Sequence, residues 1–363
     1  MLTRICSLAV CLLALVMPVK ADILIGVVGP FTGPHADLGA QLSKGAVQAA
    51  NDINAAGGIG GEKIAIEFGD DSSDPKYAVS VANRFIADGV KFVVGNVDSF
   101  VGITASDEYD KNDVLEISSI STISSFTKPG NWNAFRVAQN PTKLAVRAGS
   151  YLATEYSNQT VVILHDQAKW STDGAASIQK SAVSSGMKSD LVTLSDKISS
   201  VPGPTTIVFY VGTIDPNEII RNLNISSWTG KLLTIGPPSI GPSVDRNLIA
   251  KVKSSGFDAD ASFLQTYASV QLLAAGIKNA GNGDPKSVAT VLKNGGPFQT
   301  AIGDISFDRE GDVLPQPEAT IMSYGVDQAG IREVCGSSTC PSECKGGCPN
   351  SSKCCGVASY GWK

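Results

Sequence analysis

The chain has 363 residues, 43% of them apolar and 17% charged, with a formal net charge of −5. This length predicts two domains, each large enough to bury its own core, because a domain typically holds about 100–200 residues. The acidic balance argues against nucleic-acid binding, which needs a dense basic face, and the presence of only 2 His leaves few candidates for metal or histidine chemistry.

Residues 1–21 have the pattern of a secretory signal peptide. Arg4 precedes an apolar run over residues 5–17, and Ala21 supplies a small residue for cleavage. The run is shorter than the about 20 residues that a membrane-spanning helix needs. We therefore expect cleavage after Ala21 and export. Lipidation at Cys11 is the weaker alternative, because the preceding valine is not small.

Strand-like and helix-like patterns alternate in the first part of the body. Buried strands are predicted at residues 22–29, 63–68 and 91–95. Two helical stripes separate them, and the second begins at Asp74 and Pro75, an N-cap residue followed by proline at the first helical position. This strand–helix order predicts a parallel, doubly wound α/β unit.

The same rhythm restarts after residue 140. Helices are predicted near residues 142–156, 172–186 and 215–224, and strands at residues 160–165, 205–212 and 231–236. Two such units in one chain predict two lobes with a cleft between them. Ligands of open parallel sheets bind outside the carboxyl ends of the strands, so we expect functional loops at residues 95–100, 118–123 and 165–171.

Three segments carry a family resemblance. Residues 22–34 are DILIGVVGPFTGP, residues 45–61 are GAVQAANDINAAGGIGG, and residues 70–76 are DDSSDPK. They resemble the leucine/isoleucine/valine-binding protein family, and the resemblance extends to about residue 327. That family consists of exported substrate-binding components of ATP-driven importers. The resemblance implies a type I periplasmic binding protein, an α/β fold with two doubly wound parallel-sheet lobes joined by three hinge crossings.

The resemblance also implies a division of the chain. The N-terminal lobe comprises residues 22–139 and 257–318, and the C-terminal lobe comprises residues 140–256 and 319–334. Hinge crossings are expected near Asn140, Phe257 and Glu318. A short Cys-rich tail, residues 335–363, lies outside the resemblance.

The implied function is ligand capture for a branched-chain-amino-acid-type ABC importer. Ligand contacts from both lobes stabilise a closed form, which a membrane permease then recognises. The implied protein is periplasmic and monomeric, with no cofactor and no nucleic-acid partner. The alternative is an extracytoplasmic ligand-sensing protein of the same fold.

The resemblance places a ligand carboxylate on the first lobe, bound by Ser99 and by the loop containing Ile120 and Thr122. Hydroxyl and backbone N–H groups at strand and helix ends donate to anions, and each charge-assisted bond contributes about 1.5–3 kcal/mol. The competing interpretation is that these residues only cap helices or form turns. Trp170 stands where relatives have an aromatic that closes over the ligand, although an isolated Trp is also typical of a core. His165 is expected to be structural.

Two departures from the family pattern concern the ligand's ammonium group. Amino-acid binders of the family pair it with two second-lobe acids, and those positions here are Pro141 and Pro238. A buried ammonium without an acceptor is strongly disfavoured, so an α-amino acid would need a replacement acceptor such as Asp215. We therefore expect a small apolar or aromatic carboxylate, or an amide, in preference to zwitterionic leucine.

The sequence does not predict an enzyme. It contains no Gly-x-Ser-x-Gly, no Gly-x-Gly-x-x-Gly after the first strand, and no Gly-x-x-x-x-Gly-Lys-Ser/Thr. Asp70 and Asp71 form an acidic pair of the kind found in metal sites and in acid–base chemistry, but their place before a proline-initiated helix is more typical of capping. We expect no metal site and no cofactor in the body of the chain.

The tail holds six of the 8 Cys in the chain, and almost no aliphatic side chains. These residues are Cys335, Cys340, Cys344, Cys348, Cys354 and Cys355. So short a segment cannot form a hydrophobic core, and an ordered structure would therefore need covalent or metal cross-links. In an exported chain we first expect disulfides, whose pairing the sequence does not determine. A thiolate metal site is the alternative, which the lack of Cys-x2-Cys spacing and of nearby His disfavours.

Overall fold

The protein is described here by a computed structural model. It describes residues 22–95, 99–128, 130–167, 169–194, 207–212, 218–219, 230–235, 244–314, 322–327 and 330–333. Within these ranges, no helix has both the length and the apolar character needed to cross a bilayer. The predicted α/β class is confirmed, because parallel sheets with flanking helices dominate the described residues.

The first sheet is parallel and five-stranded. Its strands are β1 (Ile23–Gly29), β2 (Ile64–Asp70), β3 (Phe92–Gly95), β4 (Leu115–Ser118) and β5 (Ala134–Arg136), in the order β2-β1-β3-β4-β5. Its helices in this part of the chain are α1 (Ala36–Ala55), α2 (Pro75–Ala87) and α3 (Ser99–Lys111). The three predicted strands are confirmed as β1, β2 and β3. The sheet and the helices packed on it are called the first unit below.

The predicted start of α2 is confirmed in detail. The Asp74 carboxylate accepts a hydrogen bond of 2.8 Å from the Lys76 N–H, and Pro75 occupies the first helical position. The cap satisfies one of the N–H groups that a helix start leaves without a partner, and proline has no N–H to satisfy. Local sequence chemistry thus determines where α2 begins.

The second unit is built on another parallel set of strands. It contains α4 (Pro141–Glu155), β6 (Val161–His165), α5 (Lys169–Ser184), β7 (Ser189–Thr193), β8 (Ile207–Val211) and β9 (Lys231–Ile235). The predicted strands are confirmed as β6, β8 and β9, and two of the predicted helices as α4 and α5. The helix expected near 215–224 lies outside the described residues except for residues 218–219.

The chain then returns to the first unit through three helices and a hairpin. These are α6 (Arg246–Ser254), α7 (Ala261–Ala280), α8 (Pro285–Asn294), β10 (Phe298–Thr300) and β11 (Gly303–Ile305). Their buried side chains share one core with β1, β3 and β4, whereas the buried side chains of α4, α5, β6, β8 and β9 form a separate core.

The position of helix α6 differs from the expected division of the chain into two lobes. The expected boundary between residues 256 and 257 assigns it to the second lobe, but Leu248 and Val252 are buried in the core of the first unit. Lys251 also pairs with Asp52 of α1, with Nζ 2.6 Å from Oδ1. The chain has therefore already returned to the first unit at α6.

The chain ends its described part in the second sheet. Strand β12 (Met322–Asp327) pairs antiparallel with β9, and β13 (Gly330–Glu333) pairs antiparallel with β12. The six-stranded order is β13-β12-β9-β8-β6-β7. The hinge expected near Glu318 and the Cys-rich tail both lie outside the described residues.

Candidate functional site

The carboxyl edge of the first sheet brings the predicted anion-binding positions together. Gly95 and Ser118, the last residues of β3 and β4, are paired in register, and the Ser119 N–H donates to the Gly95 carbonyl at 3.1 Å. Helix α3 begins at Ser99, shortly after β3. Ser99 and the loop after β4 therefore lie at one edge, although the side chain of Ser99 is outside the description.

The backbone conformation and close packing at position 95 require glycine. Its φ is +139°, and a Cβ there would lie 1.9 Å from the carbonyl oxygen of Val28. Only glycine tolerates both the conformation and the close approach of the neighbouring strand. The end of β3 is thus held against β1, and this contact sets the point from which the chain leaves the sheet toward Ser99.

The loop after β4 presents backbone donors. Ser118, Ser119 and Ser121 are buried, and the Ser121 N–H donates to the Ser118 Oγ at 3.0 Å. Ile120 and Thr122, the two predicted loop residues, are half-buried. The Ile120 N–H makes no hydrogen bond to any residue in the described ranges. A backbone N–H without an acceptor is a suitable donor for a bound anion.

A fully buried arginine, which was not predicted from the sequence, holds this loop in place. Arg136 ends β5, and its Nη1 donates to the Ile123 carbonyl at 2.8 Å and to the Ser121 carbonyl at 3.5 Å. Its Nη2 donates to the Ser124 carbonyl at 3.4 Å and also to the Thr127 hydroxyl. The single charge in the apolar run over residues 134–138 was the sequence signal for this residue.

Asp312 is the counter-charge of Arg136. Its Oδ1 lies 2.5 Å from Arg136 Nε, an ion-pair contact without hydrogen-bond angles at Nε, and it accepts from Thr127 Oγ1. Its Oδ2 accepts from Asn140 Nδ2 at 3.0 Å and lies 2.6 Å from Lys143 Nζ. Burial alone would raise the pKa of Asp312, but the hydrogen bonds from Lys143 and Thr127 and the charge of Arg136 lower it below its ordinary value.

Three carboxylates surround the Lys143 ammonium. Asp308, Glu310 and Asp312 have oxygens within 4.8 Å of one another, a spacing found in metal sites. Lys143 Nζ lies 2.5 Å from Asp308, 2.6 Å from Glu310 and 2.6 Å from Asp312. Burial lowers the pKa of Lys143, but its hydrogen bonds to these three acids outweigh that effect and raise it. The ammonium already supplies the positive charge that a metal ion would supply.

The start of α4 lies beside this cluster. Asn140 caps the helix, because its Oδ1 accepts from the Thr142 N–H at 3.0 Å and from the Lys143 N–H at 3.4 Å. Pro141 occupies the first helical position and is exposed. The family position for an ammonium-binding acid therefore has no carboxylate here. The hinge crossing expected near Asn140 coincides with contacts between the loop at residues 308–312 and α4.

The carboxyl edge of the second sheet has a buried polar cluster at the end of β6. Asp166 Oδ2 accepts from the Tyr210 hydroxyl at 3.1 Å, and Oδ1 accepts from the Ser171 hydroxyl. His165 is 4% exposed, with Nδ1 2.6 Å from the Asp166 carbonyl oxygen and Nε2 3.2 Å from Thr193 Oγ1. These contacts hold the ring in place, as expected of a structural histidine.

The remaining predicted site residues are only partly described. Trp170 lies in the first turn of α5, at the carboxyl edge of the second sheet, and nothing is described of its side chain. Asp215 and Pro238 lie outside the described residues, as do the six tail cysteines. The structure thus brings Ser99, Ile120 and Thr122 to one edge and places Trp170 at the edge of the other sheet.

Comparison with known proteins identifies the family of the chain. The family described as periplasmic binding protein matches residues 22–201. The Leu/Ile/Val-binding protein homolog 1 of Brucella suis is 37% identical over 325 residues, which cover 80% of this chain and 88% of that protein. Homolog 2 of Brucella abortus is 36% identical over 344 residues, which cover 85% of this chain and 93% of that protein.

Solved structures share the fold. A putative branched-chain amino acid ABC transporter from Rhodospirillum rubrum superposes with a TM-score of 0.69 at 16% identity, covering 86% of this chain and 100% of that chain. An ABC transporter substrate-binding protein from Desulfitobacterium hafniense, solved in complex with Leu, gives a TM-score of 0.60 at 18% identity, covering 87% and 100%. The chain therefore belongs to the periplasmic binding proteins, in the leucine/isoleucine/valine-binding protein family.

Proposed function

We propose that this protein is the exported substrate-binding component of an ABC importer of the branched-chain amino acid type, and that it captures a small ligand carrying a carboxylate or an amide group. The observation that carries this proposal is the carboxyl edge of the first sheet. There the start of α3 at Ser99 and the loop at Ile120 and Thr122 follow two adjacent parallel strands. Backbone and hydroxyl donors at such an edge bind anions.

The ligand is proposed to be a small apolar or aromatic carboxylate, or an amide, without an ammonium group. Pro141 provides no carboxylate at the start of α4. The nearby acids already bind Lys143 and Arg136, and Asp166 on the second sheet already accepts from two hydroxyl groups. A ligand ammonium would have to compete with these partners. Binding of an α-amino acid through Asp215 is the alternative, which the names of the relatives favour.

We propose two lobes that close on the ligand. The N-terminal lobe comprises residues 22–139 and the return segment that ends near residue 318, which starts before α6 because α6 packs in the core of the first unit. The C-terminal lobe comprises residue 140 to the segment preceding α6 and residues 319–334. Trp170 is proposed to close over the ligand from the second lobe, and the closed form is proposed to dock on a permease.

The remaining features of the proposal follow the family. Residues 1–21 are proposed to be a cleaved signal peptide, the mature protein to be a periplasmic monomer without nucleic-acid partners, and the six tail cysteines to form disulfides. We propose no enzymatic activity, because the relatives are named as binding proteins. An extracytoplasmic ligand-sensing protein of the same fold is the second candidate. Adjacent permease and ATPase genes would favour import.

A calorimetric ligand screen on residues 22–363 tests the proposal. The panel contains leucine, isoleucine, valine, 4-methyl-2-oxopentanoate, 3-phenylpropanoate and 4-methylpentanamide. We expect at least one saturable ligand, with the oxo acid or the aromatic acid binding at least as tightly as leucine. Tight binding of the amino acids alone would contradict the ligand class and leave the transport proposal standing. No binding by any member of the panel would contradict the proposed function.

A further inference from the structure

We propose that Arg136, held by Asp312, is a positioning residue of the anion site: it binds the carbonyl groups of the loop after β4 and thereby directs that loop's N–H groups toward the ligand. The inference rests on the proposed function, because it assigns the ligand to this loop. The guanidinium need not touch the ligand, since it acts through the backbone that it orients.

The peptide geometry supports this role directly. In a trans peptide, the carbonyl of one residue and the N–H of the next point in opposite directions. The Ser121 carbonyl accepts from Arg136, so the Thr122 N–H is directed away from the guanidinium. The Ile123 carbonyl accepts from Arg136 at 2.8 Å, so the Ser124 N–H is directed away as well. The Ser124 carbonyl also accepts from Arg136, at 3.4 Å, so one side chain orients three peptide planes, one of which contains the predicted ligand residue Thr122.

The guanidinium is suited to this task and is itself held in place. It is 0% exposed and offers five N–H donors in a rigid planar fork, which a lysine ammonium cannot reproduce. The ion pair with Asp312 and the hydroxyl of Thr127, which accepts from Arg136 and donates to Asp312, close a triangle around it. The backbone adds a third restraint, because the Arg136 N–H donates to the Gly311 carbonyl at 3.0 Å.

The same carboxylate also reaches the second unit. While Oδ1 of Asp312 faces Arg136 and Thr127, Oδ2 binds Asn140 and Lys143 at the start of α4. The anion-binding loop and the first hinge crossing therefore share one buried acid. A rotation of α4 relative to the first sheet would act on the position of Arg136, and so on the loop's donors, through Asp312.

The test compares Arg136→Lys with Arg84→Lys. Arg84 is a matched control, because it also pairs with a carboxylate, Glu67, and donates to a carbonyl, that of Phe68, but on the exposed side of β2. Calorimetric dissociation constants are measured for leucine and 4-methyl-2-oxopentanoate. Hydrogen exchange of residues 119–124 is measured without ligand. We expect Arg136→Lys to raise the dissociation constant at least tenfold and to speed exchange in this loop at least tenfold, with Arg84→Lys unchanged in both.

Each outcome decides the inference. A folded Arg136→Lys protein whose affinity stays within twofold of the wild type, or whose loop exchange is unchanged, overturns it. If Arg136→Lys does not fold, Thr127→Val decides in its place, because it removes the bridging hydroxyl and keeps the ion pair, and a several-fold loss of affinity is expected. If the wild type binds neither probe, the affinities are measured with whichever member of the panel it binds; if it binds none, the proposed function is contradicted and the exchange comparison alone tests the positioning role.

Discussion

Lys143 Nζ lies 2.6 Å from Asp312 Oδ2 and joins the first turn of α4 to the loop that follows β11. The two residues belong to different units of the protein, and Asp312 also pairs with Arg136. This ion pair therefore connects the two units of the protein through opposite charges.

We predict that Asp312→Asn destabilises the protein by about 3–5 kcal/mol at pH 7, because it leaves Arg136 buried without a counter-charge. The pKa of Asp312 is lowered in the folded state, so its contribution is present above its ordinary value of 3.8 and is lost as the pH falls through the lower folded value. The difference in free energy of unfolding between wild type and variant should therefore shrink below about pH 3.8. Urea unfolding at pH 7 and pH 3 measures it.

Asp113→Asn is the control for this experiment. Asp113 pairs with Lys286 at 2.7 Å, but both side chains are 59% exposed. An exposed ion pair contributes at most about 1 kcal/mol, so we expect little change at either pH. Equal losses in the two variants would show that the buried charge network has no special role in stability.

We predict opposite effects for two helical glycines. A Cβ at Gly45 would lie 2.4 Å from the Phe263 carbonyl oxygen, where α1 contacts α7, so Gly45→Ala should cost about 1–3 kcal/mol of stability through overpacking. A Cβ at Gly174 in α5 would meet only Val211 Cγ1, at 3.6 Å, so Gly174→Ala should stabilise by about 0.5–1 kcal/mol. Thermal and urea unfolding of the two variants measure the effects, and a stabilising Gly45→Ala would contradict the close helix contact.

We predict that Ser99→Ala and Thr122→Val each weaken ligand binding about tenfold or more, because each removes a donor to the ligand anion contributing about 1.5–3 kcal/mol. Calorimetry with the tightest ligand of the panel measures this loss. The control is Thr290→Val on α8, whose hydroxyl donates to the Lys286 carbonyl far from the sheet edge. Unchanged affinity in both site variants would place the ligand elsewhere.

We predict that the Trp170 fluorescence changes when the ligand binds, because its ring closes over the site. In Trp170→Ala the ligand-induced change should be lost and the affinity reduced several-fold, with little effect on unfolding. Trp132→Phe serves as the control, since Trp132 is half-buried in the first unit with Lys286 Nζ 5.4 Å from its ring. A retained signal in Trp170→Ala would contradict the lid assignment.

We predict that the tail cysteines are oxidised in the exported protein. Intact mass under non-reducing conditions should be lower than the reduced mass by two hydrogen atoms per disulfide, for three disulfides among the six residues. Cys355→Ser should leave one partner free for alkylation. Six alkylatable thiols that become available only after chelation would instead support the thiolate metal site.

The sequence predicted those parts of the fold that depend on local patterns. The strands β1, β2 and β3 are continuous apolar runs, and the start of α2 follows from Asp74 and Pro75 alone. Strands β4 and β5 were not predicted, because Glu116 interrupts the apolar residues of β4 and β5 has only three residues. The edge strand β7 was also not predicted, because its residues are largely exposed and do not form an apolar run.

Tertiary packing determined what the sequence did not predict. Helix α6 carries an amphipathic pattern that fits either unit, and only its contacts with the first core, through Leu248 and Val252, assign it. Arg136 is a single charge in an apolar segment, and its partner Asp312 is distant in the chain. The predicted ligand positions came from the family resemblance, whereas the residue that orients their loop was visible only in three dimensions.

Because α6 and α7 return to the first unit, the two cores are assembled from parts of the chain that are synthesised at different times. The core of the second unit draws its buried side chains from residues 145–235, a continuous stretch. The core of the first unit needs Ile25 and Ala46 from one end and Phe263 and Phe307 from the other. Closing so long a loop is slow, since non-local contacts form only after its entropy has been lost. The half of the protein that emerges first therefore cannot complete its core until the chain has been synthesised as far as Phe307, whereas the second sheet then lacks only β12 and β13.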